Sequence, residues 1–259
     1  NGYTEEYNGS SWTAGGATIT SRQYSGAAGE QNAGLVISGD TNPTIVTCVE
    51  EYNGTSWSAG GAIITGRFRV GGTGTQNAAL AYGGQTPGVV TCTEAYDGSA
   101  WSSDTAMIVA RSGFGTAGTR TSALASGGYP SQKTCTEEYV ASLICTSDSC
   151  TSSIPASWSA GGNLITARAS LGGAGTQNDS LAFGGNGPSN NLTCTEEYNG
   201  SSWSAGGNMI AGRGNMAYQG LTSDVALAAG GNNPGAVGCT EAYNGSSWSA
   251  AAAMITARF

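Results

Sequence analysis

"TCTEEYNGSSWSAGGNMIAGR", residues 193–213, holds an acidic pair, a Tyr, an Asn-Gly, a Trp, a double glycine and an Arg in one short run. Versions of it recur along the whole chain. Tyr7, Tyr52, Tyr96, Tyr139, Tyr198 and Tyr243 each precede a tryptophan, at Trp12, Trp57, Trp101, Trp158, Trp203 and Trp248. Arg22, Arg67, Arg111, Arg168, Arg213 and Arg258 stand in the same register after those tryptophans. Glu5, Glu50, Glu94, Glu137, Glu196 and Glu241 stand two residues before the tyrosines. The period is about 45 residues, the length of a four-stranded propeller blade.

One unit shows the expected strands. Residues 69–75 form the first, and Gln76-Asn77 turns the chain into a second at 78–82. The pair Gly83-Gly84 ends it. A variable loop leads to a third at 90–96, and Asp97-Gly98 turns into a fourth around Trp101. Asn-Gly and Asp-Gly between strand-like runs indicate hairpins, of which the type I′ turn is the usual form. Glycine pairs recur at Gly127-Gly128, Gly184-Gly185 and Gly230-Gly231, with Gly39-Asp40 in the first unit.

Composition agrees with an all-β reading. The 259-residue chain has 43 glycines and 10% charged residues, against roughly 25% charged in ordinary domains. Hydrophobic residues reach 39%, with 6 Trp and 11 Tyr, enough apolar area to bury a core. Net charge is −8, with Lys133 the only lysine. That balance argues against nucleic acid and anionic membranes as partners. No apolar run approaches the roughly 18 residues of a spanning helix.

The order of glycine pair, Tyr, Trp and Arg, complete in Leu80–Arg111, resembles the kelch repeat. The wording "TEEYNGSSWSAGG" and "GTQNAALAYGG" is closest to kelch-like repeat proteins of marine bacteriophages. The resemblance implies an all-β, kelch-type β-propeller over residues 1–259 as a single domain. Residues 1–20 form a partial blade. Full repeats follow at 21–65, 66–109, 110–166, 167–211 and 212–259, with an insertion at 140–157. Six blade positions with one incomplete are expected; five blades with two extra strands is the rival.

The repeated Glu50, Tyr52, Trp57, Arg67, Glu94, Tyr96, Trp101, Arg111, Glu196, Tyr198, Trp203 and Arg213 are read as scaffold. The aromatics would wedge between blades, and each Glu would meet an Arg. Cys48, Cys92, Cys135, Cys194 and Cys239 repeat one per blade, too far apart for disulfides, and are expected to be free and buried. Cys145 and Cys150 share the insertion and are candidates for a disulfide.

The chain contains no His. This removes Ser-His-Asp and Cys-His nucleophile systems and His-ligated metals. It also removes the copper chemistry of sugar-oxidising kelch propellers. Acid pairs such as Glu196-Glu197 point to opposite faces of a strand, which disfavours a glycosidase pair. "GGTGT" at 71–75 and "GGAGT" at 172–176 lack the Lys and helix of a phosphate loop. No catalytic residue, metal or cofactor is expected.

Variation collects in the loops after the glycine pairs, the candidate binding loops: Asn42 and Pro43, Gln85 and Pro87, Tyr129 and Pro130, Asn186 and Pro188, Asn232 and Pro234. These share a rim with the connections that follow each Arg. Asn8, Asn53, Asn199 and Asn244 open N-x-[ST] turns on the opposite rim and would be glycan acceptors in a secreted eukaryotic protein. The expectation is a non-enzymatic structural or interaction module. The phage resemblance implies a virion component (tail fibre, spike or capsid decoration) meeting a host glycan or another virion protein. It would be extracellular or on the particle, with no membrane insertion and with self-association open. A secreted lectin-like glycoprotein is the alternative, and a carbohydrate-active enzyme a third.

Overall fold

The computed structural model describes residues 2–144 and 153–258. It contains five four-stranded antiparallel blades and no helix among these residues. Blade I comprises Gly26–Glu30, Ala33–Ile37, Val49–Tyr52 and Trp57–Ala59. Blade II comprises Gly71–Thr75, Ala78–Tyr82, Thr93–Tyr96 and Trp101–Asp104. Blade III comprises Gly115–Gly118, Ser122–Ser126, Thr136–Val140 and Ser157–Gly161. Blade IV comprises Gly172–Gly175, Ser180–Phe183, Thr195–Tyr198 and Trp203–Ala205. Blade V comprises Ala217–Thr222, Val225–Ala229, Thr240–Tyr243 and Trp248–Ala251. The first strands adjoin in the order I to V around an axis, so the molecule is a β-propeller.

Glu5–Tyr7 and Trp12–Ala14 form a separate two-stranded sheet, the amino-terminal hairpin. The chain therefore carries five complete blades, not six. The sixth copy of the Tyr–Trp register supplies two strands only. A further short pair, Leu143–Ile144 with Ser153–Ile154, lies in the insertion of blade III. Cys145 and Cys150 lie outside the described residues.

The core sits in the wedges between blades. Leu80, Tyr82 and Met107 of the blade II side pack with Phe114, Tyr139 and Trp158 of blade III. Leu124 of blade III packs with Leu171, Tyr198 and Trp203 of blade IV. Each repeat Tyr opposes its Trp across the outer hairpin, as Tyr198 opposes Trp203, with ring centroids 4.8 Å apart. Such pairs bury large apolar area for little rotamer entropy. The polar ends reach the preceding blade. The indole N–H of Trp203 donates to Thr136 Oγ1 at 3.0 Å, and that of Trp248 to Thr195 Oγ1 at 2.9 Å. The phenol of Tyr243 donates to Glu197 at 2.7 Å, and that of Tyr96 to Glu51 at 2.7 Å.

Deviations from the repeat confirm this wiring. Blade II has Ala95 where its neighbours have the second Glu, and Tyr139 donates instead to Asp104, at 2.8 Å. Blade I has Val49 where the others have Thr, and the Trp101 indole N–H is left buried without a partner. Val49→Thr would supply the missing acceptor. We expect a gain of about 1 kcal/mol, read as a melting temperature a few degrees higher. A lower melting temperature would contradict the assignment of Thr as the indole's partner.

The Glu and Arg of the repeat form buried ion pairs: Arg22–Glu50, Arg67–Glu94, Arg111–Glu137, Arg168–Glu196 and Arg213–Glu241, with a partly exposed Arg258–Glu5 pair. Each carboxylate also accepts two backbone amides from the segment entering its blade, as Glu196 does from Ile165 and Thr166 at 2.6 and 3.0 Å. The repeat cysteines are free but half-buried rather than buried. They lie against these arginines, with Arg168 Nη2 donating to Cys194 Sγ at 3.0 Å.

The double glycine that follows Trp12, Trp57, Trp158 and Trp203 has a packing reason. A Cβ on Gly207 would lie 2.1 Å from the Ser246 carbonyl oxygen of the next blade's turn. Glycine there lets the two backbones touch.

Three sequence expectations need correction. The pair closing the second strand of blade I is Ser38-Gly39, not Gly39-Asp40. Ser38 and Gly39 have φ of 54° and 115°, matching 58° and 100° at Gly83 and Gly84. Ser38 tolerates the left-handed conformation because its hydroxyl donates to Val46 O at 2.6 Å and accepts from Arg67 N at 2.8 Å. The Asn-Gly and Asp-Gly turns are not two-residue type I′ turns. Tyr96 pairs with Trp101, leaving a four-residue connection in which only Gly98 takes positive φ. Asp97 Oδ1 accepts the amides of Ser99 and Ala100, which holds its carboxyl down at about 2. Finally, the first strand of blade II starts at Gly71 and the third at Thr93, later than residues 69 and 90.

Candidate ligand site at the axial mouth

The first strands enclose a channel of about 760 Å³. They run close together, which explains their glycines. A Cβ on Gly72 would lie 2.4 Å from Ala27 O, and one on Gly173 2.5 Å from Thr116 O. "GGTGT" and "GGAGT" are therefore inner-strand sequences. Tyr218 of blade V reaches Thr116 Oγ1 of blade III at 3.1 Å, passing blade IV. Burial pushes its phenol pKa up.

At one end of the channel the chain turns inward two residues after each repeat Arg. Tyr24, Arg69, Gly113, Ser170 and Asn215 occupy this position, with φ of 54°, 52°, 57°, 53° and 51°. Their backbones join around the axis. Arg69 N donates to Tyr24 O (2.6 Å), Gly113 N to Arg69 O (3.1 Å), Ser170 N to Gly113 O (2.6 Å) and Asn215 N to Ser170 O (3.0 Å). Four non-glycine residues in the left-handed region are costly to hold. The interblade hydrogen bonds hold them.

This ring meets the loops that follow the glycine pairs. Gln23 bridges Asp40, Phe68 bridges Gln85, Ser112 bridges Tyr129, Ala169 bridges Asn186 and Gly214 bridges Asn232. Both kinds of connection thus share one rim, as the sequence suggested. Three of the candidate loop residues come together there. Asn186 Nδ2 donates to the Tyr129 hydroxyl at 3.1 Å, and Ser170 Oγ donates to it at 3.5 Å. Asn215 Nδ2 donates to Asn232 Oδ1 at 3.3 Å. Gln85 is half-buried in its bridge. Asn42, Pro43, Pro87, Pro130, Pro188 and Pro234 are exposed on the outer parts of the loops and do not join the cluster.

Sequence reasoning placed the connections after each Arg on this rim but did not single out their residues. Tyr24, Arg69, Ser170 and Asn215 are its central side chains. The signal was present: within a nearly invariant register, the second residue after Arg is Tyr, Arg, Gly, Ser or Asn. Arg69 is the distinctive member. Its guanidinium carbon lies 4.7 Å from the Tyr24 ring centroid and 5.1 Å from that of Tyr129. Such sandwiches attract a cation.

The acid pairs are absorbed elsewhere. Glu196 meets Arg168 in its own blade, and Glu197 accepts from Tyr243 of the next. The hydrogen-bonded tyrosines stay protonated well above neutrality. Burial, followed by the bond to Glu138, pushes Tyr198 up to about 12. The N-x-[ST] asparagines are turn residues: Asn53 Oδ1 accepts the amides of Thr55 and Ser56 at 3.0 and 2.9 Å. Asn8, Asn199 and Asn244 accept in the same way.

The sequence matches no protein-family model and no curated protein. Among solved structures, the fold is similar to that of YjhT, with a TM-score of 0.70 at 14% identity. The match covers 90% of this chain and 84% of that one. At that identity the likeness concerns the fold.

Proposed function

We propose that this β-propeller is a non-enzymatic binding module of the kelch-like type whose ligand docks at the axial mouth. The observation that carries this reading is the convergence of both variable positions of the repeat, Tyr24/Arg69/Ser170/Asn215 and Tyr129/Asn186/Asn232, on one end of the channel. The scaffold positions repeat almost unchanged; the mouth differs from blade to blade. Binding on a repeated scaffold resides where the repeats vary. A mouth of Tyr, Asn and Ser suits a saccharide, whose hydroxyls pair with amides and whose ring faces pack on aromatics.

The likeness of the repeats to kelch-like phage proteins supports reading the module as part of a phage particle, in a fibre, spike or capsid decoration. There the ligand would be a host surface glycan.

The amino-terminal hairpin is read as the outer half of a sixth blade position. Its contacts repeat those of the complete blades. Trp12 donates to Thr240 Oγ1 at 3.2 Å, and Glu5 accepts the amides of Ile255 and Thr256 at 2.8 and 3.1 Å.

An array of bacterial surface polysaccharides tests the binding reading. The expected result is retention on at least one polysaccharide, lost in a Tyr129→Ala/Asn215→Ala double variant, with no release of reducing ends. Retention that survives the double variant, or release of reducing ends, would contradict it.

A further inference from the structure

We propose that the axial mouth binds a carboxylate carried on a saccharide, with Arg69 as the residue that receives it. This inference rests on the mouth being a binding site and names the chemical class of its ligand.

Charge is the first observation. The chain has net charge −8, yet its channel is lined by Arg22, Arg69 and Arg258 and by no Asp or Glu. Arg22 and Arg258 are each committed to a carboxylate, Glu50 and Glu5. Arg69 has no ion pair among the described residues. Its side chain has no hydrogen-bond partner among them either, and its Nε is buried without one.

Placement is the second observation. Arg69 belongs to the left-handed ring, at the position where other blades put Tyr, Gly, Ser or Asn. The backbone amide of Arg69 is already spent on Tyr24 O. Its guanidinium remains, clamped between the Tyr24 and Tyr129 rings at 4.7 and 5.1 Å. Both rings lie against the guanidinium, and none of its N–H donors is taken by an acceptor among the described residues. A planar fork of N–H donors matches a carboxylate in bidentate geometry.

The surroundings supply the saccharide part. Tyr129 is tied to Asn186 and Ser170, which keeps its ring in place. Asn186 Oδ1 is buried without a donor and packs against Gly214, which holds the amide that ties down the Tyr129 hydroxyl. Ser170 and Asn215 continue the polar lining. Cation, aromatic rings and the amide that supports them meet across blades I, II, III and IV.

The test titrates the purified chain with galacturonate oligosaccharides and, in parallel, with the neutral galactose oligosaccharides of equal length. Binding is read by calorimetry at low and high salt. The galacturonate series is expected to bind and to weaken as salt rises, and the neutral series to bind at least tenfold more weakly. Arg69→Gln should weaken galacturonate binding by about ten- to a hundredfold and leave the melting temperature within a degree or two. Arg69→Lys, which keeps charge but loses the fork, should recover only part. Equal affinity for the neutral series, or galacturonate binding unchanged in Arg69→Gln, would overturn the carboxylate assignment while leaving the mouth a saccharide site. Inorganic phosphate binding as tightly as galacturonate would overturn it in favour of a general anion site. No binding of either series overturns it as well; retention of some other glycan on the polysaccharide array would then keep the broader reading.

Discussion

Arg168→Met is expected to destabilise the propeller by about 3–5 kcal/mol, lowering the melting temperature by roughly 6–20 °C for a domain of this size. Arg168 is the most completely satisfied of the repeat arginines. Its guanidinium is fully buried and meets Glu196, Cys194 O at 2.8 Å, Cys194 Sγ at 3.0 Å, Gly184 O at 3.3 Å and Thr166 O at 3.3 Å. Methionine fills much of the volume but leaves Glu196 charged and removes the guanidinium donors from those carbonyls, Cys194 O keeping the Gly184 amide at 3.2 Å. The Glu196 carboxylate would keep only its two amide bonds. A second substitution separates pair energy from packing. Arg168→Met/Glu196→Leu removes both charges and should recover part of the loss. A melting temperature unchanged in Arg168→Met would show that the pair is not what joins the entering segment to its blade.

Trp203→Ala is expected to cost about 3–5 kcal/mol. The indole is 7% exposed, lies against Tyr198 and closes the wedge between blades III and IV. Its N–H donates to Thr136 Oγ1 and to Gly162 O, both at 3.0 Å and both in the preceding repeat. Alanine would therefore leave a cavity and two acceptors unpaired at a blade interface. Thermal unfolding of Trp203→Phe, Thr136→Val and the double variant resolves the hydrogen-bond share. The two single effects should not add, since each removes the same bond. A loss below about 1 kcal/mol for Trp203→Ala would show that the interblade wedge does not carry the core.

The blades were legible in the sequence because their register is rigid. Tyr, Trp, Glu and Arg recur at fixed offsets: Tyr and Trp bond to the preceding blade, and Glu and Arg pair where the chain enters their own. The Glu–Arg pairing followed from counting alone. Local backbone conformation was less legible. Ser38 occupies a left-handed position that glycine fills in the other blades, so the glycine pair was sought one residue late. The Asp97-Gly98 dipeptide suggested a two-residue turn, but Asp97 uses its carboxylate to close a longer one. The first strand of blade II was expected to include Arg69, whose φ of 52° keeps it outside the sheet.

That last point also explains why the core of the candidate site was not picked out. Tyr24, Arg69, Ser170 and Asn215 share no chemistry, so they form no motif. They share a backbone geometry that only three-dimensional closure around an axis requires. Tyr129, Asn186 and Asn232 were identified as loop residues. Their convergence with the ring depends on strand direction, which puts both kinds of connection on one rim.

The central claim is that the repeats wrap around one axis, with the amino-terminal hairpin brought against the segment at 255–258. Small-angle X-ray scattering from the monomer tests it most directly. The account predicts a compact particle with a radius of gyration of roughly 18 Å for this chain length. A substantially larger radius with the profile of an elongated rod would mean that the repeats stack in a line, and would contradict it.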